Sequence, residues 1–385
     1  MKVLALGGTG RKGQAVARHL AADALVSEII IAGRNLDMAE RFAAELGRQA
    51  TAVQIDATDE ERLSSIAAGC DIVVNTAGPD FEVPLPAARA AIAAGTDYCD
   101  IGADGPMTEE VLKLDTAARA AGVTVIPGIG GAPGLTNLIA MHAAQQLDEV
   151  MDIQFGYLYP AEPAARELRE TGHVSASWET ILRYGSGDVR IYRDGQWIDV
   201  NLFDSEIEVA LPQTGMVITA YPVATAEPVT LSRSLPSLRT VESLFGLLPQ
   251  RLNQLYREQA QRIAKGQVNT RDAARSLLEA VADDAEPSPP AGGGLPSVPI
   301  WLAAVGLKDG RRVRYSCWPT SWWMSTEGAI AAAALAILRG NVKESGVLPP
   351  ETCFEPMAFF SEVARFGPEE PLDGKFLGES FEWLE

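Results

Sequence analysis

Through the first 130 residues, short apolar runs alternate with segments whose apolar positions recur every three or four residues. Residues 3–6, 27–32, 50–55, 71–74, 96–101 and 123–127 are the apolar runs, and they read as buried strands. Residues 14–20, 37–46, 84–94 and 109–121 carry the helical period, with Phe42 and Leu46 on one face of the second and Pro84 just inside the start of the third. Strand and helix in alternation predict an α/β fold with a doubly wound parallel sheet. From residue 151 the period changes to two. Residues 153–159, 189–193, 197–200, 207–211 and 216–221 read as strands of a mainly antiparallel sheet, as do 298–307 and 311–318, with Asp194-Gly195 and Asp309-Gly310 marking hairpin turns. Residues 178–184 read as a short helix, 240–284 as helical with one polar face, and 286–294 as a flexible Pro/Gly/Ser loop. The alanine-rich segment 325–338 reads as a helix returning to the first domain. The pattern thus predicts an α/β domain at 1–130, an α+β domain at 131–324, and a C-terminal helix and tail at 325–385 that rejoin the first.

The turn after the first strand, Gly7-Gly8-Thr9-Gly10-Arg11-Lys12-Gly13, adds a binding expectation. Gly8, Gly10 and Gly13 have the dinucleotide-fingerprint spacing: one for the tight turn, one for close approach to a pyrophosphate, one for helix–strand packing. Thr9, Arg11 and Lys12 share that loop, and the helix start turns N–H groups and a positive dipole end toward phosphate. The second strand closes on Gly33-Arg34-Asn35, where an NAD-type site needs a carboxylate for the ribose 2′-hydroxyl, yet no acid occurs before Asp37. A guanidinium at Arg34, with Asn35 beside it, suits a 2′-phosphate, so the reading is NADP(H) over NAD(H), with a plain solvated loop arginine as the alternative. Asp56 and Ala57 stand where adenine is usually edged; an Asx turn and helix cap accounts for them equally, and both roles are compatible. Thr76, Ala77 and Gly78 are small enough to let backbone approach the nicotinamide ribose. Asp97, Tyr98, Cys99 and Asp100 form a polar cluster on a buried strand, and such clusters usually face the ligand crevice. The loop at 126–137, with four glycines and two prolines, reads either as a wall beside the nicotinamide or as a crossover between domains.

Composition narrows the class. The 385 residues are 47% hydrophobic, ample for packed cores, and no apolar run reaches membrane-spanning length. The N-terminal apolar residues belong to the first strand, so no signal peptide is expected. A net charge of −19 disfavours nucleic acid and anionic membranes. Four dispersed cysteines without a CxxC suggest neither a metal site nor a disulfide framework, which fits a reducing cytoplasm.

These motifs, with Val74-Asn75-Thr76-Ala77-Gly78-Pro79, the loop from Val125 to Asn137 and the segment Thr230-Leu231-Ser232-Arg233-Ser234-Leu235-Pro236, resemble the saccharopine dehydrogenase-like family. The chain is similar to lysine 6-dehydrogenase and saccharopine reductase within that family, but carries Arg34 where the former has an acid, matches poorly over 240–294, and has an unusual aromatic cluster at Trp318–Met324. The resemblance implies a Rossmann domain, NADP, and hydride transfer at a C–N bond of an amino-acid-like or polyamine-like small molecule. Candidates for managing the proton are Tyr98, which matches a substrate-side tyrosine of saccharopine reductase, Asp100 and His173; an exposed loop histidine is the alternative for the last. His19 and His142 lie on helices, where packing or capping suffices. Asn137 and Arg233 are the substrate-binding candidates, Arg233 as a grip on a carboxylate or as a surface salt bridge. A short-chain dehydrogenase needs Tyr-x-x-x-Lys, and no tyrosine here has a lysine four residues on. Two further readings are an enoyl reductase acting on a lipid, with Trp318, Trp322 and Trp323 lining a larger pocket, and an NADP(H) sensor without turnover. The second domain's sheet is also expected to form a homodimer.

Overall fold

The fold is described from a computed structural model, in residues 1–201, 203, 205–282 and 298–385. The expected loop at 286–294 lies outside the described residues. The chain forms two compact units, Met1–Leu138 with Trp322–Pro371, and Ile139–Ser321 with Leu372–Glu385.

The first unit is built on a seven-stranded parallel sheet in the order Gly346–Val347, Thr124–Ile126, Asp97–Asp100, Ile72–Asn75, Lys2–Leu6, Glu28–Gly33, Ala50–Gln54. Six of these strands have the doubly wound order 3-2-1-4-5-6, in which connections reverse between Lys2–Leu6 and Ile72–Asn75. Leu4, Leu6, Val73, Tyr98 and Val125 are buried in its core, which is why these strands read as continuous apolar runs. Ser325 caps the helix Thr326–Leu338 through a bond from Gly328 N (2.9 Å), and that helix packs on the fingerprint helix Arg11–Ala21. The segment expected as one helix at 109–121 is two, Gly105–Leu112 and Asp115–Ala121. Asp104 starts the first by accepting from Met107 N, and the chain reverses at Lys113 and Leu114.

The second unit carries a nine-stranded mixed sheet, mainly antiparallel, with one parallel pair between Glu149–Pro160 and Thr240–Leu248. Asp194 and Asp309 adopt positive φ beside Gly195 and Gly310, closing both predicted hairpins. The helices Glu162–Thr171, Ala176–Tyr184, Leu252–Ala264 and Thr270–Ala282 supply a core around Trp178, Tyr256, Phe245 and Leu277. One expectation is corrected here. Residues 240–248 form a buried strand before two helices, and the motif around Arg233 includes the end of the helix Ala226–Ser234. The tail also departs from expectation: Leu377–Trp383 pairs with Arg311–Pro319 in the second sheet instead of joining the first unit.

Candidate functional site

The first strand ends at Leu6, and Gly7 turns the chain with φ +76° while its N–H donates to Ala32 O (2.9 Å). A Cβ at Gly7 would lie 2.4 Å from Ala77 N, so the fingerprint turn is seated against the loop after Ile72–Asn75. A Cβ at Gly13 would lie 2.2 Å from Gly7 O, and one at Gly8 would lie 2.8 Å from Ala5 O. These backbone atoms cannot yield, so glycine is required at all three positions. Gly10 is the helix N-cap and contributes no side-chain cap, which leaves room for an anion at the helix start. Thr9 packs over Gly33, where a Cβ would meet its Oγ1 at 2.7 Å. Arg11 and Lys12 form the first two residues of the helix.

Arg34 is exposed at the end of the second strand, and its carbonyl accepts from Gln54 Nε2 (2.9 Å). Asn35 caps the next helix by accepting from Met38 N (3.0 Å). Asp56 forms an Asx turn, accepting from Thr58 N (3.0 Å) and Thr58 Oγ1 (2.7 Å); these bonds hold its carboxyl below the usual range, with the Arg34 charge adding to the effect. The helix that follows is capped by Asp59, not Asp56. Ala57 is buried, and Thr76 donates from Oγ1 to Leu6 O (3.1 Å). Gly78 precedes Pro79 through a cis peptide bond.

A buried polar chain runs across the carboxyl ends of the central strands. Ala77 N donates to Asn75 Oδ1 (2.9 Å), Asn75 Nδ2 to Tyr98 Oη (2.9 Å), and Tyr98 Oη to Asp100 Oδ2 (2.8 Å). Asp100 Oδ1 accepts from Gly102 N and Gly128 N, both at 2.8 Å. Three strand-end segments are thereby tied to one carboxylate. Tyr98 and Asp100 are fully enclosed; burial raises the Asp100 carboxyl above its ordinary value, and burial followed by the Asp100 charge pushes the Tyr98 phenol well up. Asp80, partly buried just past the cis proline, is pushed up to about 6 by desolvation, with Lys12 opposing the rise and Asp100 and Asp104 adding to it. Asp80, Asp100 and Asp104 line one small recess with Pro84, Gly102 and Thr108.

Sequence reasoning named Tyr98 and Asp100 but missed Asn75, Asp80 and Asp104 as members of this cluster. The available signal was Asp80 directly after Gly78-Pro79 and Asp104 directly before Gly105-Pro106, with Asn75 three residues ahead of Gly78. Asn137 lies in the first turn of the helix Leu135–Gln145, so the glycine loop ends earlier than expected. Its side chain is buried, accepting from Gly134 N (2.9 Å) and donating to Glu351 Oε2 (3.0 Å). In the second unit, His173 is exposed just past the helix Glu162–Thr171, and its backbone N–H donates to Thr171 Oγ1 (3.1 Å). Arg233 is exposed in the last turn of its helix and donates to Val229 O (3.0 Å). Of the other histidines, His19 packs at a tilt against Phe366 (ring centroids 4.9 Å) and burial lowers its pKa, while His142 contacts Glu379 at 2.8 Å. Trp323 is buried against Phe360, and Trp318 lies over Gly378.

The glycine cradle, the uncapped helix start and the cation past the second strand fit a dinucleotide phosphate. Residues 3–126 match the family described as the saccharopine dehydrogenase NADP-binding domain. The apo saccharopine dehydrogenase (L-Glu forming) of Saccharomyces cerevisiae superposes with a TM-score of 0.64 at 17% identity, over 99% of each chain. Among curated sequences, a trans-acting enoyl reductase of Mycobacterium leprae is 27% identical over 190 residues, 47% of this chain and 44% of that one. One from Mycobacterium tuberculosis is 31% identical over 126 residues, 30% of each. The matched regions span less than half the length of either relative. Fold and site together define an NADP-binding oxidoreductase architecture. Residues 3–126 thus carry the saccharopine dehydrogenase NADP-binding domain, and NADP is the cofactor.

Proposed function

We propose that this protein transfers hydride between NADP(H) and the carbon of a C–N bond, reducing an imine or oxidising an amine of an amino-acid-like or polyamine-like molecule. The observation that carries the reading is the gathering of three carboxylates, Asp80, Asp100 and Asp104, past the carboxyl ends of the central strands. Hydride addition to a protonated imine starts from a cation, which carboxylates at the strand ends stabilise; addition to an enoyl group builds an enolate anion, which they oppose. When bound, NADPH supplies the hydride. Gly8, Thr9, Gly10, Arg11, Lys12 and Gly13 hold its pyrophosphate, Arg34 and Asn35 its 2′-phosphate, Asp56 and Ala57 its adenine, and Thr76, Ala77 and Gly78 its nicotinamide ribose. Tyr98 and Asp100 fix the loops around the reacting ring. Arg233 and Asn137 serve substrate, and His173 stays a proton-transfer candidate. The working form is a homodimer in the cytoplasm; the apolar side chains Phe381 and Trp383, exposed on an edge strand, support a sheet-mediated contact, and size-exclusion chromatography with light scattering tests it.

The mycobacterial relatives favour a second reading, reduction of an enoyl group on a lipid. NADPH absorbance separates the two. Amines and amino acids with NADP, or aldehyde–amine pairs with NADPH, should give turnover, and enoyl thioesters none. Turnover on enoyl thioesters alone would establish the second reading instead.

A further inference from the structure

A groove of about 580 Å³ runs between the helix Leu252–Ala264 and the strand Val217–Pro222, and every residue that lines it belongs to the second unit. The amides beneath it are spent on the protein itself. Gln250 uses both ends of its side chain on one strand residue, Oε1 accepting from Thr219 N (3.2 Å) and Nε2 donating to Thr219 O (2.9 Å), while buried Asn253 accepts from Leu247 N (2.9 Å). The charged side chains that line the groove are held differently. Arg257 donates from Nη2 to Phe203 O, and its guanidinium carbon lies 5.2 Å from the centre of the Phe203 ring, so both partners are neutral. Glu206 accepts from buried Tyr221 Oη (3.3 Å), and Glu258 from Gln254 Nε2 (3.3 Å). Among the described residues, Arg257, Glu206 and Glu258 form no ion pair, with each other or elsewhere. A guanidinium has five N–H donors and a carboxylate about four acceptor positions, so one bond each leaves most of that capacity turned to the groove.

We infer that this groove is a binding site for a small zwitterion of the amino-acid class, its carboxylate taken by Arg257 and its ammonium by Glu206. A ligand of one sign would satisfy one wall and meet its own sign on the other, whereas a molecule carrying both charges pairs each with its opposite. Tyr221 positions the acidic wall: burial, followed by the Glu206 charge, raises its phenol above the ordinary value, so it stays a donor to that carboxylate at neutral pH. A volume of this size suits a small molecule and leaves room for a side chain beyond the two charged ends. The assignment is independent of the reaction proposed above, since none of these residues belongs to the nucleotide-binding unit.

Calorimetric titration of the full chain, free of nucleotide, with L-glutamine, L-leucine and γ-aminobutyrate tests it, each compound beside its N-acetyl and its carboxamide derivative. The derivatives remove one charge at a time. At least one of the three parents should bind, and loss of either charge should weaken it about tenfold or more. Glu206→Gln and Arg257→Met should each weaken the parent by a similar factor. Glu206 is exposed, and glutamine still accepts from Tyr221, so that variant carries the test if Arg257→Met fails to fold. No binding by any parent up to about 10 mM would overturn the inference. So would binding that Glu206→Gln leaves unchanged, because the amino acid would then occupy a different site.

Discussion

At the scale of single residues, a few side chains and missing side chains shape the proposed nucleotide site. Gly13→Ala forces a Cβ to 2.2 Å from Gly7 O, and relief requires a shift of the fingerprint turn. A loss of about 1–3 kcal/mol in stability is expected from such crowding, together with loss of NADPH binding; thermal unfolding and fluorescence titration check both. Arg34→Ala should weaken NADPH by about 1.5–3 kcal/mol, one to two orders of magnitude in Kd, and leave NADH within twofold. Equal weakening of both would remove the 2′-phosphate assignment. Tyr98→Phe deletes the hydroxyl between Asn75 and Asp100 and leaves buried groups unpaired, so about 1–3 kcal/mol of stability should be lost in chemical denaturation. Asp80 carries a signed pH effect. Its folded-state pKa, about 6, lies above the unfolded value of 3.8, so the native state binds the extra proton and its stability falls as pH rises from about 4 to 6. Asp80→Asn should lack this fall, and parallel stability curves for variant and wild type would contradict it.

At the scale of elements, the fingerprint strand, turn and helix were legible because glycine spacing and apolar period report local geometry. The strand Thr240–Leu248 was not. Seven consecutive residues of it are buried on both faces, so period-two alternation is absent and the run reads equally well as helix. Tyr98 and Asp100 stood out as polar residues in an apolar strand, whereas their link to Asn75 depends on the pairing of Ile72–Asn75 with Asp97–Asp100, and strand register is set by tertiary contacts. The final strand shows the same limit, since its partner Arg311–Pro319 lies about sixty residues earlier. Deleting residues 377–385 strips cover from Tyr315 and Cys317 and removes the Glu379 partner of Tyr315 and His142. Tm should fall by roughly 5 °C or more and aggregation should rise as a buried strand becomes an edge; an unchanged melting curve would mean the strand contributes no stability.

For the whole molecule, a net charge of −19 and the proposed phosphate-binding loop act in opposite directions on an anionic cofactor, so on this proposal recognition rests on local groups at the fingerprint and not on the overall field. NADPH at a hundred times its Kd should stabilise the folded chain by about 2.7 kcal/mol, read as a rise in Tm. The NADP-binding domain lies in the first unit, whereas the proposed C–N chemistry rests on the carboxylates at its strand ends. NADPH deuterated at the transferred position, incubated with the protein and aldehyde–amine or enoyl thioester mixtures, tests that chemistry by mass spectrometry of the products. The account predicts one deuterium on the carbon of a newly reduced C–N bond and none in the thioester; deuterium on the enoyl carbon, or none in any product despite bound NADPH, would contradict it.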